Sequence, residues 1–339
     1  MTPVLRRLLL LVVICTSPVP AQNTPTVMPG ARAGRVEHVT FRSQALGVTK
    51  SMLVYLPPSY GDAAASARRW PVAVYLHGVF GSETDWTAQG QLATTMDSLV
   101  ATGMRELIVV MPDGDDGWWT TWHALNDVAA CRRVPRQENA DTYCVPWPKY
   151  DDYVTHDVLA FTDSAYRTVP RRASRAIAGL SMGGYGAISI AARRPQLFAV
   201  AASHSGVLRP ALMHDSSTFA TTGSLLQRDA RTRDELRAAS GGRWERIQVA
   251  FGSDSVAWMA RDPSRLLARL LSQHAPMPAL YVDIGSDDAL LTMNRSFRDA
   301  MTALQVPLTY RESSGRHDWA YWRRQLVESL QFIAERMEP

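Results

Sequence analysis

The 339-residue sequence has little net charge and no concentration of one charge sign. Its formal charge is +4, and its basic residues are scattered along the chain rather than interleaved with aromatic residues in a patch. A nucleic-acid-binding surface usually has such a patch, so we expect no nucleic-acid partner. Internal repeats and low-complexity segments are also lacking. The hydrophobic and charged fractions, 46% and 20%, are typical of a globular protein.

The apolar run near the start of the sequence is too short to span a bilayer. It covers Leu8–Cys15, follows two arginines and precedes small residues that end at Ala21. This layout is typical of a secretory signal peptide over residues 1–21, with cleavage after Ala21. It predicts a secreted or periplasmic protein without stable membrane insertion. A lipoprotein anchored at Cys15 is the alternative, but Ile14 is bulky where that signal requires a small residue.

Cysteine is scarce, with three residues in the whole sequence. Two of them, Cys131 and Cys144, follow the predicted signal peptide and lie in one loop-like segment. Because an exported protein meets an oxidising environment, we predict a disulfide between them. Two free thiols are the alternative. A metal site there would need further ligands, which the segment does not obviously supply.

Apolar strand patterns alternate with helical patterns along most of the sequence. After a predicted flexible leader at 22–35, two alternating segments predict an antiparallel pair of strands. Continuous apolar runs, such as WPVAVYLHG at 70–78, predict strands buried on both faces. The pattern predicts a mostly parallel central sheet with helices on both faces, in one α/β domain over 36–339. Residues 113–150 and 207–276 are predicted insertions, the second mostly helical.

One short stretch places a serine between glycines at the end of a predicted strand. Residues 179–183 read Gly-Leu-Ser-Met-Gly and lead directly into a helical pattern. A G-x-S-x-G motif in this context presents the serine hydroxyl on a sharp turn above the sheet. The glycines avoid Cβ clashes, and the helix N-terminus supplies positive potential. The motif predicts Ser181 as a nucleophile; the alternative is a glycine-rich helix start that only packs closely.

A serine hydroxyl needs a base to become a good nucleophile. In a fold with this motif the partners follow in the order serine, acid, histidine. His317 comes directly after the last predicted strand and is the predicted base, with His204 as the weaker candidate. For the acid, the loop residue Asp288 is favoured over Asp287 and over Asp283, which lies within a strand. The unchosen loop aspartate is then expected to cap the following helix.

Acyl transfer also requires donors for the oxyanion of the tetrahedral intermediate. The serine turn itself sets the backbone N–H of Met182. The loop after the strand that ends in YLHG is expected to supply the N–H of Val79, because Gly78 and Gly81 allow that loop to bend. His77 is expected to order the same loop.

The segment PDGDDGWWTTWH at 112–123 combines three aspartates with three tryptophans. A calcium loop needs a glycine at its sixth position, whereas the glycine here is fifth, so no metal is predicted. We predict that Trp118, Trp119 and Trp122 line a pocket for an aromatic or sugar group. Packing beneath the disulfide loop is the alternative interpretation.

These motifs together resemble the putative-esterase branch of the α/β-hydrolases over about residues 37–337. That branch includes S-formylglutathione hydrolases, feruloyl esterase modules of xylan-degrading enzymes and mycobacterial mycolyltransferases. The resemblance implies an α/β-hydrolase fold, a triad of Ser181, Asp288 and His317, and an oxyanion hole at Val79 and Met182. It lies in the stretches LHGVFGSETDW, RAIAGLSMGGYGA, FGSDSVAWMARDPSRLL, VDIGSDDALL and GRHDWAYWRRQL.

The expected function is that of an exported serine carboxylesterase that works through an acyl-enzyme and needs no metal or organic cofactor. Feruloyl or acetyl esters of polysaccharide are the expected substrates, although the segment 117–147 is longer than in feruloyl esterases. One alternative is a mycolyltransferase-like acyltransferase to sugar, whose acid is typically glutamate rather than aspartate. A carbohydrate-binding protein on an inactive scaffold is the other, and the intact serine, acid and histidine argue against it.

Overall fold

The computed structural model describes residues 32–135, 138–215, 226–240 and 243–339. The predicted signal peptide and residues 22–31 of the predicted leader lie outside this part of the chain. The end of the predicted leader does make contacts. The Arg32 guanidinium lies 2.6 Å from an Asp62 carboxylate oxygen, and the amide of Gly34 donates to Asp97 at 2.8 Å. The first strand then begins at Arg35, the last residue of that leader.

The core of the molecule is an eight-stranded sheet. The described strands are β1 (Arg35–Arg42), β2 (Thr49–Leu56), β3 (Val72–Leu76), β4 (Ile108–Pro112), β5 (Arg175–Leu180), β6 (Val200–His204), β7 (Leu212–Asp215), β8 (Leu226–Asp229), β9 (Ala279–Gly285) and β10 (Leu308–Ser313). The strand order in the central sheet is β1-β2-β4-β3-β5-β6-β9-β10. In this sheet the β1–β2 and β2–β4 pairs are antiparallel, and the other pairs are parallel, which confirms the predicted mostly parallel sheet.

Helices occupy most of the connections between strands. A π-helical turn, Tyr153–Val158, joins the helix Tyr150–Asp152 to the helix Leu159–Ala165. In the described ranges, no helix has both the length and the apolar character that crossing a membrane requires. The described helices are α1 (Asp85–Ala88), α2 (Leu92–Ala101), α3 (Val128–Arg133), α4 (Ala140–Tyr143), α5 (Tyr150–Asp152), α6 (Leu159–Ala165), α7 (Met182–Arg193), α8 (Arg233–Ala239), α9 (Trp244–Phe251), α10 (Ser255–Met259), α11 (Pro263–Ser272), α12 (Leu291–Ala303) and α13 (Trp319–Arg336).

The central strands are apolar on both faces because helices cover both sides of the sheet. Side chains alternate between faces along a strand, so Ile177 of β5 joins one hydrophobic cluster and Ala178 joins the other. Ile188 of α7 belongs to the first cluster, and Leu326 of α13 belongs to the second. The two-sided burial that the apolar runs predicted is therefore present.

The two predicted insertions carry structure of their own. In the first, the predicted disulfide links Cys131 of α3 to Cys144, which directly follows α4; the two cysteines lie 13 residues apart. In the second, β7 and β8 form a small antiparallel sheet separate from the central one. The mostly helical prediction for 207–276 missed this sheet, because four-residue strands are too short to show a periodic pattern.

Candidate active site

Ser181 lies on a strained turn between β5 and α7. Its backbone has φ 53° and ψ −114°, a conformation that costs of the order of 1–3 kcal/mol in a non-glycine residue. The flanking elements hold this conformation, since the Ser181 amide donates to the carbonyl of His204 at 2.9 Å and the Ser181 carbonyl accepts from Tyr185. The turn therefore fixes the direction in which the hydroxyl points.

The glycines beside Ser181 allow α7 to approach the sheet closely. A Cβ at Gly183 would lie 2.2 Å from the carbonyl oxygen of Leu76 in β3. A Cβ at Gly179 would lie 2.5 Å from the backbone of Gly183. Any larger residue at either position would push the helix away from the strand, so the motif is required by the packing of this turn.

Three side chains from separate loops meet at this turn. His317 Nε2 lies 3.0 Å from Ser181 Oγ, and His317 Nδ1 lies 2.9 Å from Asp288 Oδ2. An ionised carboxylate only accepts hydrogen bonds, so Nδ1 carries the proton and Nε2 presents its lone pair to the serine hydroxyl. His317 directly precedes Asp318, the residue that caps the N-terminus of α13.

The environment of Asp288 keeps its carboxylate ionised. Its side chain is completely buried, whereas the side chain of His317 is 33% exposed. Burial by itself raises the pKa of Asp288, but the hydrogen bond from His317, the charge of that imidazole and the hydrogen bond from the Leu290 amide outweigh it and hold the pKa below its usual value. The carboxylate can therefore orient the imidazole and stabilise its protonated form at neutral pH.

The other candidate acids and bases lie elsewhere. Asp287 is exposed, and its amide donates to the carbonyl of Gly315. It does not cap the following helix as expected; α12 begins without a side-chain cap, and Asp288 itself accepts from the Leu290 amide. Asp283 and His204 are fully buried, with Oδ2 and Nδ1 only 2.6 Å apart, so their side chains contact each other and not the serine hydroxyl.

The loop that contains Val79 forms one side of the site. Gly78 and Val79 line the same pocket as Ser181, and Met182 follows the serine directly at the start of α7. His77 is fully buried beneath the loop: its Nδ1 lies 2.8 Å from the Gly78 carbonyl, and its Nε2 accepts from the Gly114 amide at 2.9 Å. His77 therefore connects this loop to the segment after β4.

Buried charges brace the segment after β4. Lys50 of β2 is completely buried, and its ammonium lies 2.5 Å from Asp113 and 2.7 Å from Asp115. Tyr150 adds a hydrogen bond to Asp115 at 2.7 Å. Buried charges require partners, and each of these two aspartates forms an ion pair with Lys50. These ion pairs hold the segment in place.

A pocket of about 350 Å³ opens at Ser181 and His317. Of the three predicted tryptophans, only Trp118 lines it. Trp119 instead donates to the carbonyl of His77 within the core. Trp122 donates to the carbonyl of Gly117 and lines a separate groove beside the disulfide. The prediction therefore fails for Trp119 and Trp122, whose indole N–H groups direct them into the protein.

Most of the pocket wall comes from residues that the sequence analysis did not single out. Ile247 and Trp258 belong to the second predicted insertion, and Trp319 and Trp322 belong to the start of α13. Phe80, at φ 64°, completes the rim and is 56% exposed. Trp258 and Trp319 occur in the stretches FGSDSVAWMARDPSRLL and GRHDWAYWRRQL, so the family resemblance itself was the signal that could have located them.

A family model described as Putative esterase matches residues 43–333. An acetyl esterase of Caldicellulosiruptor saccharolyticus is 22% identical over 306 residues, which are 88% of this chain and 98% of that protein. An endo-1,4-beta-xylanase/feruloyl esterase of Xylanibacter ruminicola is 30% identical over 169 residues, which are 49% of this chain and only 20% of that larger protein.

The solved structures show the same fold. A ferulic acid esterase superimposes with a TM-score of 0.65 at 24% identity, covering 90% of this chain and 99% of the other. Similar proteins also include S-formylglutathione hydrolases and mycolyltransferases, which confirms the resemblance inferred from the sequence motifs.

Proposed function

Because the chain belongs to the putative esterase family and is a hydrolase of carboxylic esters, we propose that it is an exported serine carboxylesterase with Ser181, His317 and Asp288 as its catalytic triad. The observation that carries this proposal is the continuous line of hydrogen bonds from the serine hydroxyl through the imidazole to a buried carboxylate. The acid, base and nucleophile follow the geometry that acyl transfer requires.

In the proposed reaction, Ser181 Oγ attacks the ester carbonyl while His317 Nε2 takes its proton. Asp288 stabilises the imidazolium that forms. The backbone N–H groups of Val79 and Met182 hold the oxyanion of the tetrahedral intermediate. The imidazolium then protonates the leaving alcohol, and the acyl group remains on Ser181. A water molecule, deprotonated by the same imidazole, releases the acid and restores the serine.

The proposed substrates are feruloyl or acetyl esters of polysaccharide. Apolar and aromatic side chains such as Trp118 and Trp258 line a pocket whose volume of about 350 Å³ accommodates a single aromatic acyl group. Relatives named as an acetyl esterase and a feruloyl esterase support the same two acyl groups. The signal-peptide pattern of residues 1–21 supports export, where such polymers are met.

A panel of p-nitrophenyl esters and methyl hydroxycinnamates tests the proposal. Replacement of Ser181 by alanine should lower kcat by at least about 10³-fold on every ester that the wild type cleaves, because only the oxyanion donors and binding then remain. The wild type should react with a fluorophosphonate, and the variant should not.

Three outcomes would count against the proposal. Activity in the Ser181→Ala variant close to that of the wild type would overturn the mechanism. If acylated sugar is the main product when a sugar acceptor is added, the main activity is that of an acyltransferase and not that of a hydrolase. A folded wild type that neither reacts with the fluorophosphonate nor cleaves any ester would favour a carbohydrate-binding protein.

A further inference from the structure

Phe80 has a strained backbone in the loop that forms one side of the site. It follows Val79 directly, and its φ of 64° lies in the left-handed region. This conformation is unfavourable for a bulky side chain, so surrounding contacts must hold it. The proposed mechanism uses the Val79 amide and assigns no role to the residues that hold Phe80.

Asp116 and Arg246 together hold Phe80. The Phe80 amide donates a hydrogen bond to Asp116 Oδ1 at 2.7 Å. The other carboxylate oxygen, Oδ2, lies 3.2 Å from a guanidinium nitrogen of Arg246 in α9. The Asp116 side chain is 5% exposed, so water competes little for these bonds. The guanidinium carbon of Arg246 also lies 4.8 Å from the centroid of the Phe80 ring, within the range of a cation–π contact.

Two peptide planes meet at Val79, and hydrogen bonds hold both of them. Because a peptide unit is planar, the N–H of Val79 shares a rigid plane with the carbonyl of Gly78. That carbonyl accepts from the Gly81 amide at 3.1 Å and lies 2.8 Å from His77 Nδ1. The next plane along the chain contains the amide that Asp116 holds. The direction of the Val79 N–H therefore depends on contacts on both sides of this residue.

We propose that Asp116 is a positioning residue of the oxyanion hole: by holding the Phe80 amide, it keeps the loop in the conformation that directs the Val79 N–H at the oxyanion. Arg246 keeps the carboxylate in place for this contact. The inference rests on the proposed function. Asp116 lines the groove beside the disulfide rather than the pocket at Ser181, so it acts through the loop and not on the substrate. Oxyanion donors stabilise the transition state only where they are correctly placed.

The first test compares Asp116→Ala with Asp116→Asn on a p-nitrophenyl ester. Alanine removes the acceptor of the Phe80 amide, whereas asparagine keeps a side-chain oxygen that can accept from it. We expect Asp116→Ala to lower kcat about 30-fold with KM changed less than about threefold, because a displaced oxyanion donor costs less than the 10²- to 10³-fold of a deleted one. Asp116→Asn should keep kcat within about threefold of the wild type.

A transition-state analogue distinguishes positioning from a general loss of structure. When an aryl trifluoromethyl ketone binds, Ser181 Oγ should bond to the carbonyl carbon, its proton should pass to His317, and the carbonyl oxygen should become an oxyanion. The corresponding trifluoromethyl alcohol has a similar shape and forms no adduct. Asp116→Ala should raise the Ki of the ketone by the factor by which it lowers kcat/KM, and should change the Ki of the alcohol less than about twofold. Equal changes for the two inhibitors, or a wild-type Ki for the ketone, would overturn the positioning role.

Asp262 provides a matched control. Its side chain is also buried; its Oδ1 accepts from the Ser264 amide at 2.9 Å, and its Oδ2 lies 3.2 Å from the guanidinium of Arg209. It caps α11 and does not line the pocket. Asp262→Ala should lower the midpoint of urea unfolding but leave kcat/KM and both Ki values within about twofold of the wild type. If it lowers kcat/KM as Asp116→Ala does, the contact with the loop is not the cause and the proposal is overturned.

The second test asks whether Arg246 acts through Asp116. Arg246→Met removes the charge but keeps a long side chain, and we expect kcat to fall about threefold. In the Asp116→Ala background the same substitution should lower kcat by less than about 1.5-fold, because coupled residues are not additive. An equal loss in both backgrounds would overturn the part assigned to Arg246.

These results remain separable from the proposed function. Should Ser181→Ala retain activity, the triad itself fails, whatever the Asp116 variants do. Should Ser181→Ala be inactive while Asp116→Ala cleaves esters and binds the ketone as the wild type does, only the positioning role fails. Urea unfolding identifies any variant that does not fold. If Asp116→Ala is one, Arg246→Met carries the test, since it should weaken binding of the ketone and not of the alcohol.

Discussion

At the scale of single residues, surroundings decide what each aspartate can do. Asp283, Asp287 and Asp288 lie within one short stretch, yet one is buried against His204, one faces solvent, and one contacts His317. The sequence could exclude Asp283, because a residue inside a strand cannot reach a loop histidine. The choice between the two loop residues depended on a turn whose geometry the sequence does not display.

The neighbouring loop aspartates give a matched pair of substitutions. Asp288→Asn should lower kcat about 10³- to 10⁴-fold, because an amide can no longer stabilise the imidazolium and favours the wrong tautomer. Asp287→Asn should change kcat less than about threefold, since its side chain is exposed and does not contact the imidazole. Steady-state kinetics on one p-nitrophenyl ester measure both, and the reverse ranking would move the role of the acid to Asp287.

At the scale of elements, the turn from β5 to α7 could be predicted from the sequence, because the residues that form it are close together along the chain. Gly179 and Gly183 flank Ser181 at a spacing that only a tight strand-to-helix turn demands. The directions in which the three tryptophan side chains point could not be predicted from the sequence. Trp118 and Trp119 both have left-handed backbones, with φ 58° and 49°. Their side chains, although adjacent in sequence, therefore point in different directions: Trp118 lines the pocket and Trp119 lies in the core. A sequence pattern contains no signal for such a reversal.

Gly183→Ala tests the close contact between α7 and β3. The added Cβ would overlap the Leu76 carbonyl, so the helix must shift and the serine turn with it. We expect the free energy of unfolding in urea to fall by about 1–3 kcal/mol and kcat to fall at least about tenfold.

Gly61→Ala is the control for that substitution, because the nearest heavy atom to its Cβ would be a flexible arginine nitrogen 3.7 Å away. Its free energy of unfolding should stay within about 0.5 kcal/mol of the wild type. A Gly183→Ala variant with wild-type stability and turnover would show that the turn tolerates a wider helix–strand separation.

At the scale of the whole molecule, the alternation of strands and helices was enough to predict the sheet. An apolar run such as Val72–Leu76 must be buried on both faces of the sheet. This requirement predicts a layer of helices on each face, whatever the structure of the loops. The arrangement of residues 207–276 around the pocket could not be predicted, because Ile247 and Trp258 reach the site through contacts between segments that are distant in sequence. Strand order follows general rules of connection, whereas pocket shape follows side-chain packing.

The stability of the whole molecule should depend on pH through Asp116. This residue accepts a hydrogen bond from the Phe80 amide at 2.7 Å and faces Arg246 and Glu138. Burial first, and then Glu138, raise the pKa of Asp116 to about 7. An unfolded aspartate has a pKa of about 3.9, so between about pH 4 and 7 the folded chain binds this proton more tightly than the unfolded chain.

The free energy of unfolding should therefore fall as pH rises from 5 to 7 and level off above that range. Asp116→Asn removes the titrating group, so urea unfolding at several pH values should show a flatter dependence in the variant than in the wild type. Parallel curves for the two proteins would mean that Asp116 ionises normally in the folded state.

The distance along the chain between Ser181 and His317 has a consequence for biosynthesis. The serine and the imidazole that it contacts are separated by 136 residues, and the imidazole comes from the loop after the last strand of the sheet. At about 5–20 residues per second, a ribosome needs roughly 7–27 s to pass from one to the other. A nascent chain can therefore form its serine turn well before His317 has been synthesised. If His317 is the base, we expect the Ser181 hydroxyl to be unreactive toward esters until that histidine has been added.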